Sequence, residues 1–304
     1  MLEIYLSLLP VFAWFLLGAV PRQLGWVQQV HGEKLLKFMF FVTLPVLIFV
    51  KITGAEIGRA ELYLPFFNIV INLCCLSIMY LWIRGKKIDR HILGVMLVSS
   101  SITNNFFSFP FIHPVLGDEV LANAILFDLG NAISTLTLAY IIAFTYGPEE
   151  LKLRNMVANI FKLPAMWALI GALVFKLNDL VLPVPWANLL EKFGLVTNVL
   201  ILVSLGILFN LKIRNPRLTF AVVIIRMLFG LLVSTACVLL FDLQGSMAMV
   251  VVICGAAPIG FNALTYSSLA RLDMDFASST VSASILAGLF TIPALMYILK
   301  NIYG

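Results

Sequence analysis

Residues 99–114 read Ser99-Ser100-Ser101-Ile102-Thr103-Asn104-Asn105-Phe106-Phe107-Ser108-Phe109-Pro110-Phe111-Ile112-His113-Pro114. Small hydroxyl and amide side chains run up to a proline in the middle of an apolar segment. Pro110 has no backbone N–H and clashes with the preceding turn, so a helix through it is predicted to kink or break. A second stretch has the same character. It reads Cys254-Gly255-Ala256-Ala257-Pro258-Ile259-Gly260-Phe261-Asn262-Ala263-Leu264-Thr265, with Pro258 near its middle and glycines on either side. What the surrounding apolar runs are decides what a broken helix can mean here.

The chain has 304 residues, 62% of them hydrophobic and 12% charged, against roughly 25% charged in ordinary soluble domains. Its mean hydropathy is +1.04. Apolar surface on this scale needs lipid as its solvent, which predicts an all-α membrane protein. At about 20 residues per span, with short loops, the length holds about ten transmembrane helices. Runs between polar breaks place these at approximately 2–20, 33–52, 62–83, 91–116, 119–146, 156–176, 187–210, 217–241, 245–270 and 276–300. The breaks carry turn chemistry: Pro21-Arg22, Gly54, Gly85-Lys86-Lys87, Gly117-Asp118, Gly147-Pro148, Asn215-Pro216 and Asp242. The first run is expected to stay as a helix rather than be cleaved. Glu3 sits where a signal peptide carries positive charge, and no small-x-small site precedes Pro21. The four cysteines, Cys74, Cys75, Cys237 and Cys254, fall within apolar runs without metal-ligand spacing and are read as packing residues. Neither a metal nor a cofactor is expected.

Alternate loops differ in charge. Arg22, Lys34, Lys37, Arg84, Lys86, Lys87, Arg90, Lys152, Arg154, Lys212, Arg214, Arg217 and Arg271 fall on one side. The other side carries only Lys51, Arg59, Lys176 and Lys300. The positive-inside rule puts the first set in the cytoplasm and both termini outside a cell (inner) membrane. The same topology accounts for the pI near 9.0, so no nucleic-acid partner is expected. Val42–Ile52 in span 2 and Val203–Ile213 in span 7 align with Val, Leu, Leu, Lys and Ile in common, and Thr43 opposite Ser204. Spans 2 and 7 are five apart, and an odd number of helices per unit inverts the second unit. Residues 1–146 and 156–304 are therefore read as two inverted five-helix repeats joined by a cytoplasmic linker at 147–155. Inverted repeats of this kind mark secondary transporters.

The two interrupted segments are then the fourth and ninth spans, in corresponding places, which is the best sequence pointer to a substrate site. Half-helices starting at the breaks would aim partial positive charge at the midplane, suited to an anion. The candidate substrate-binding residues are Thr103, Asn104, Asn105, Pro110, Pro258, Gly260 and Asn262. An ionisable residue inside a span is a functional candidate by default. Asp128 in span 5, with Asn131 one turn on, could carry a coupling proton or help bind a cation. Arg226 in span 8 could balance Asp128 or a substrate carboxylate, or reach the interface. His113 follows the break in span 4. The coupling ion is H+ or Na+.

With these residues in view, the chain resembles the auxin efflux carrier family, within the bile acid/arsenite/riboflavin transporter superfamily. The resemblance rests on Thr43-Leu44-Pro45-Val46-Leu47-Ile48-Phe49, Leu205-Gly206, Asn104/Asn105 before Phe109-Pro110, and Gly117-Asp118-Glu119. Its most specific piece is Ala256-Ala257-Pro258 followed by Asn262-Ala263. It implies that helices 4 and 9 are broken and cross near the midplane. Helices 1, 2, 6 and 7 would form a scaffold, often dimeric, and helices 3–5 and 8–10 a transport domain. It also implies transport of small organic anions such as mono- or dicarboxylates. Two features depart from the pattern. Thr103 stands where the family usually has asparagine, and the short central loop looks prokaryotic, so auxin is not the default substrate. The competing reading is a membrane sensor or receptor that binds a small anion without transport. An enzyme is not expected, because His31, His91 and His113 form no catalytic or metal spacing.

Overall fold

Backbone groups in lipid must be satisfied within the protein, and helices do this segment by segment. The computed structural model describes residues 2–55, 59–148, 164–178, 180–210 and 212–303, with side chains from residue 9 onward. Most of the linker read at 147–155 and the start of span 6 lie outside the described residues. In chain order the helices are α1 Leu2–Gln23, α2 Gln29–Gly54, α3 Glu61–Ile83, α4 Arg90–Ser100, α5 Asn105–Tyr146, α6 Pro164–Leu177, α7 Val184–Leu208, α8 Pro216–Leu240, α9 Gly245–Gly255, α10 Asn262–Leu269 and α11 Met274–Tyr303. Six of them, α2, α3, α5, α7, α8 and α11, are long and apolar enough to cross a membrane. Leu16, Leu17, Phe66, Leu81, Leu232, Leu239 and Phe290 are exposed large apolar side chains, as expected where the surrounding solvent is hydrocarbon. Among the described residues the only extended pairing is one isolated bridge. The protein is an all-α, multi-pass membrane protein.

Several boundaries differ from the sequence reading. Pro21 does not end the first helix. It lies inside α1, which stops at Gln23. Pro110 likewise does not break span 4. The helix is interrupted at 101–104, and Pro110 and Pro114 sit inside the first helical stretch of α5, ahead of Gly117. The interruption falls earlier because Asn104 offers a better start: its side chain accepts the Phe107 N–H and caps the new helix. The next bend is at Gly117, with φ 87° and ψ −174°, backbone that glycine reaches without steric cost. Within α2, residues 39–43 form a π-helical turn just ahead of Leu44-Pro45. The wider turn relieves the clash a proline ring makes with the preceding carbonyls. Two more π turns lie at Thr135–Ala139 in α5 and Ile224–Phe229 in α8.

The helices gather into two compact units. One holds α1, α2, α6 and α7 together with Phe109–Ala122 of α5. Its tightest crossing is α1 on α7: a Cβ on Gly206 would lie 2.1 Å from the Phe15 carbonyl oxygen, and one on Gly18 would lie 2.1 Å from that of Val203. Two glycines thus let two backbones touch, the usual route to close helix packing in membranes. The other unit holds α3, α4, α8, α9, α10, α11 and the remainder of α5. In it, Arg214 ties the turn before α8 to the start of α11 through Asp273 at 3.2 Å and Asp275 at 3.0 Å, and its N–H reaches Ser279 Oγ at 2.8 Å.

Candidate functional site

Helices α4 and α9 each stop after eleven residues. Residues 101–104 and 256–261 continue as non-helical chain before α5 and α10 begin. Broken backbone in an apolar surround must find partners, and these two breaks find each other. Thr103 and Ile259 form an antiparallel bridge. The Asn104 N–H donates to the Pro258 carbonyl at 2.8 Å, and the Gly260 N–H to the Ile102 carbonyl at 3.3 Å. Pro258 can serve there because only its carbonyl is used. The Ile259 N–H is met from outside the pair by Ser284 Oγ at 3.1 Å. Gly260 is needed for the approach: a Cβ there would come 3.0 Å from the Thr103 carbonyl oxygen and 2.9 Å from the Ile102 side chain.

The amides extend this core. Asn131 on α5 accepts the Thr103 N–H at 2.9 Å and donates to the Thr103 carbonyl at 2.9 Å. Asp128, one turn before it, is buried and accepts from Asn105 Nδ2 at 2.8 Å and Asn131 Nδ2 at 3.0 Å. Four further polar atoms around this crossing are buried without a hydrogen-bond partner among the described residues: Thr103 Oγ1, Asn104 Nδ2, Asn105 Oδ1 and Ser108 Oγ. Native structures leave few such groups, and each calls for an explanation. Both donors and acceptors are on offer, with no fixed cation among them. Asn262 opens α10 and is half-buried.

The structure therefore brings together Thr103, Asn104, Asn105, Pro258, Gly260 and Asp128. Pro110 lies further along α5, in the unit with α1 and α7. Arg226 does not balance Asp128, nor does it reach an interface. It is fully buried, donates to Cys75 Sγ at 3.1 Å and to the Gly255 carbonyl at 3.2 Å, and has no carboxylate within ion-pair distance among the described residues. The guanidinium sits against the C-terminal end of α9, whose unpaired carbonyls favour a cation. Gly230, one turn on, allows the contact, since a Cβ there would stand 2.4 Å from the same Gly255 oxygen. Cys75, read from sequence as packing alone, is thus also an acceptor.

One cluster was not legible in the sequence. Lys51 reads as a loop-side basic residue but is buried in α2, where its ammonium reaches Asp118 Oδ1 at 2.9 Å and Glu191 Oε1 at 2.8 Å. His113 Nε2 lies 3.1 Å from the same Asp118 oxygen. These residues come from α2, both sides of the Gly117 bend and α7. No short-range spacing links them. The only clue was a lysine lying within the last turn of an apolar helix.

The fold and this site define a multi-pass helical membrane protein with two interrupted helices paired at their breaks. No known protein-family profile matches the chain. It is similar over nearly its whole length to proteins named as transporters. One, from Methanothermobacter thermautotrophicus, is 24% identical over 292 residues, covering 94% of this chain and 95% of the relative. Another, from Methanocaldococcus jannaschii, is 26% identical over 302 residues, covering 94% and 96%. The transporter YfdV of Escherichia coli is 24% identical over 306 residues, covering 96% of each.

Proposed function

We propose that this chain is a secondary transporter that moves a small organic anion, such as a mono- or dicarboxylate, by alternating access of the elevator type. The observation that carries the reading is the paired break, where two interrupted helices satisfy each other's backbone and leave buried amide and hydroxyl atoms without partners among the described residues. Such discontinuous helices supply midplane substrate sites in transporters. The names of the relatives and the resemblance to auxin efflux carriers support the same class. In this reading Thr103, Asn104, Asn105, Pro258, Gly260 and Asn262 contact substrate. Residues 1–146 and 156–304 are inverted repeats of ten spans in all. Helices of spans 1, 2, 6 and 7 form a dimerising scaffold, and both termini face outward from the inner membrane. The mixed donors and acceptors hold an anion through amides and helix N-termini, without a fixed positive charge that would trap it.

Purified protein reconstituted in vesicles should carry radiolabelled carboxylate down a gradient, after a thermal-shift screen of mono- and dicarboxylates with and without sodium selects the substrate. Stabilisation by a carboxylate without any flux would replace the transporter by a sensor. Asn262→Ala is expected to weaken that ligand about tenfold, the scale of one lost polar partner, while leaving expression unchanged. An unaltered affinity would move the site away from α10. Asp128→Asn is expected to keep the fold and remove the proton or sodium dependence of flux. If flux keeps its dependence on pH and sodium in that variant, Asp128 serves structure alone.

A further inference from the structure

Asn131 makes contacts unlike those of any other side chain at the crossing. Its amide oxygen takes the Thr103 N–H and its amide nitrogen meets the Thr103 carbonyl, both at 2.9 Å. These are the two groups that a neighbouring β-strand would engage. On its other side Thr103 pairs with the main chain at Ile259. Residue 103 is thus held between a single main-chain bridge and a side-chain imitation of one. The same Asn131 nitrogen reaches Asp128 Oδ1 at 3.0 Å, and Asn105 Nδ2 reaches that oxygen at 2.8 Å. An amide nitrogen carries two N–H groups, so it can serve both acceptors at once, but only in one orientation.

We propose that Asn131 is a positioning residue that relays the charge state of Asp128 to the bridged segment at Thr103. The proposal rests on the reading above that this crossing holds substrate. Asp128 is buried, and among the described residues no Lys, Arg or His lies within ion-pair distance of it. Among the described residues, the amides of Asn105 and Asn131 are its hydrogen-bond partners, and the other titratable group facing it is Cys254 on α9. A bare carboxylate is a strong acceptor of N–H bonds. One that has taken up a proton, or is shared with a cation, is weaker. The pull on Asn131 therefore changes with the state of Asp128. Because one rigid amide spans both partners, its reorientation alters the two bonds that fix Thr103. Coupling between ion and substrate then travels through a single side chain over two short contacts.

The test is a double-mutant cycle read by hydrogen exchange on the full-length protein in detergent micelles, comparing wild type, Asp128→Asn, Asn131→Ala and the double variant. Asn131→Ala is expected to raise exchange of the Thr103 amide about tenfold. Asp128→Asn is expected to change that exchange severalfold when Asn131 is present and to have no effect when it is absent. Peptides from α1 and α7 should exchange alike in all four proteins. An effect of Asp128→Asn that is equal in both backgrounds overturns the relay, because a merely structural Asn131 gives additive changes. Where Asn131→Ala fails to fold, Asn131→Ser keeps a polar group but is too short to span Thr103 and Asp128 together, and the same cycle applies. Exchange needs no substrate. Failure of the flux assay would thus sink the transporter reading without touching this result, and the reverse holds as well.

Discussion

Gly130→Ala is expected to destabilise the protein by about 3 kcal/mol, at the upper end for overpacking, and Gly130→Leu to prevent folding. A Cβ at residue 130 would lie 2.0 Å from the Pro65 carbonyl oxygen and 2.8 Å from the Asn68 Cβ. The obstruction is backbone, not the flexible tip of a side chain, so α5 and α3 must separate to admit even one methyl. Gly130 sits between Asp128 and Asn131 in sequence. The shift that relieves the clash therefore also displaces both groups that hold Asn105 and Thr103. Equilibrium unfolding in mixed micelles measures the cost. If Gly130→Ala unfolds at the wild-type midpoint, α3 and α5 do not meet as described.

Removing both acidic partners of Lys51, as Asp118→Ala with Glu191→Ala, is expected to cost about 3 kcal/mol, near the low end for an ion left buried without its partner. Lys51→Met should cost under about 1 kcal/mol. The asymmetry follows from burial. The Lys51 side chain is 4% exposed, whereas those of Asp118 and Glu191 are 60% and 39% exposed. Deleting the lysine frees two carboxylates that water can still reach, and methionine fills the space. Deleting the carboxylates strands an ammonium that water reaches poorly. Single Asp118→Ala and Glu191→Ala variants should each lose much less than the pair, because one carboxylate remains. Equal costs for Lys51→Met and the double alanine variant would show that the ammonium is solvated.

Much of this architecture could be read from local sequence because lipid imposes a local rule. Every span must be apolar and must close its own hydrogen bonds. The long runs around Val42–Ile52, Leu64–Ile83 and Pro216–Leu240 therefore announce themselves, and Gly117, Asn215 and Asp242, placed at turns by type, adopt positive φ. The interrupted character of the fourth and ninth runs was legible for a related reason: polar and small residues clustered beside a proline in mid-run weaken a span, and the two clusters stand in corresponding places. The position of the first interruption was not. Proline was the louder signal, yet Asn104 caps a helix that then carries Pro110 within it. A proline costs a helix one backbone bond and some strain, whereas the cap supplies a bond and is reinforced by pairing with Pro258.

By itself, the sequence determined that this is a helical membrane protein with two discontinuous helices, and it pointed to Thr103, Asn104, Asn105, Pro258 and Asp128 as residues to watch. Hydropathy and backbone chemistry act over a few residues, so they can be read along the chain. Only the tertiary structure decided who meets whom. It pairs residue 103 with residue 259 and gives Asp128 to two asparagines rather than to Arg226. It also turns Arg226 onto the end of α9 and buries Lys51 between acids 67 and 140 positions away. Charges and amides choose partners by distance after the helices have packed. Helix packing is set by small steric facts, such as a missing Cβ at residue 18, 130 or 206, whose consequences depend on a backbone elsewhere in the chain.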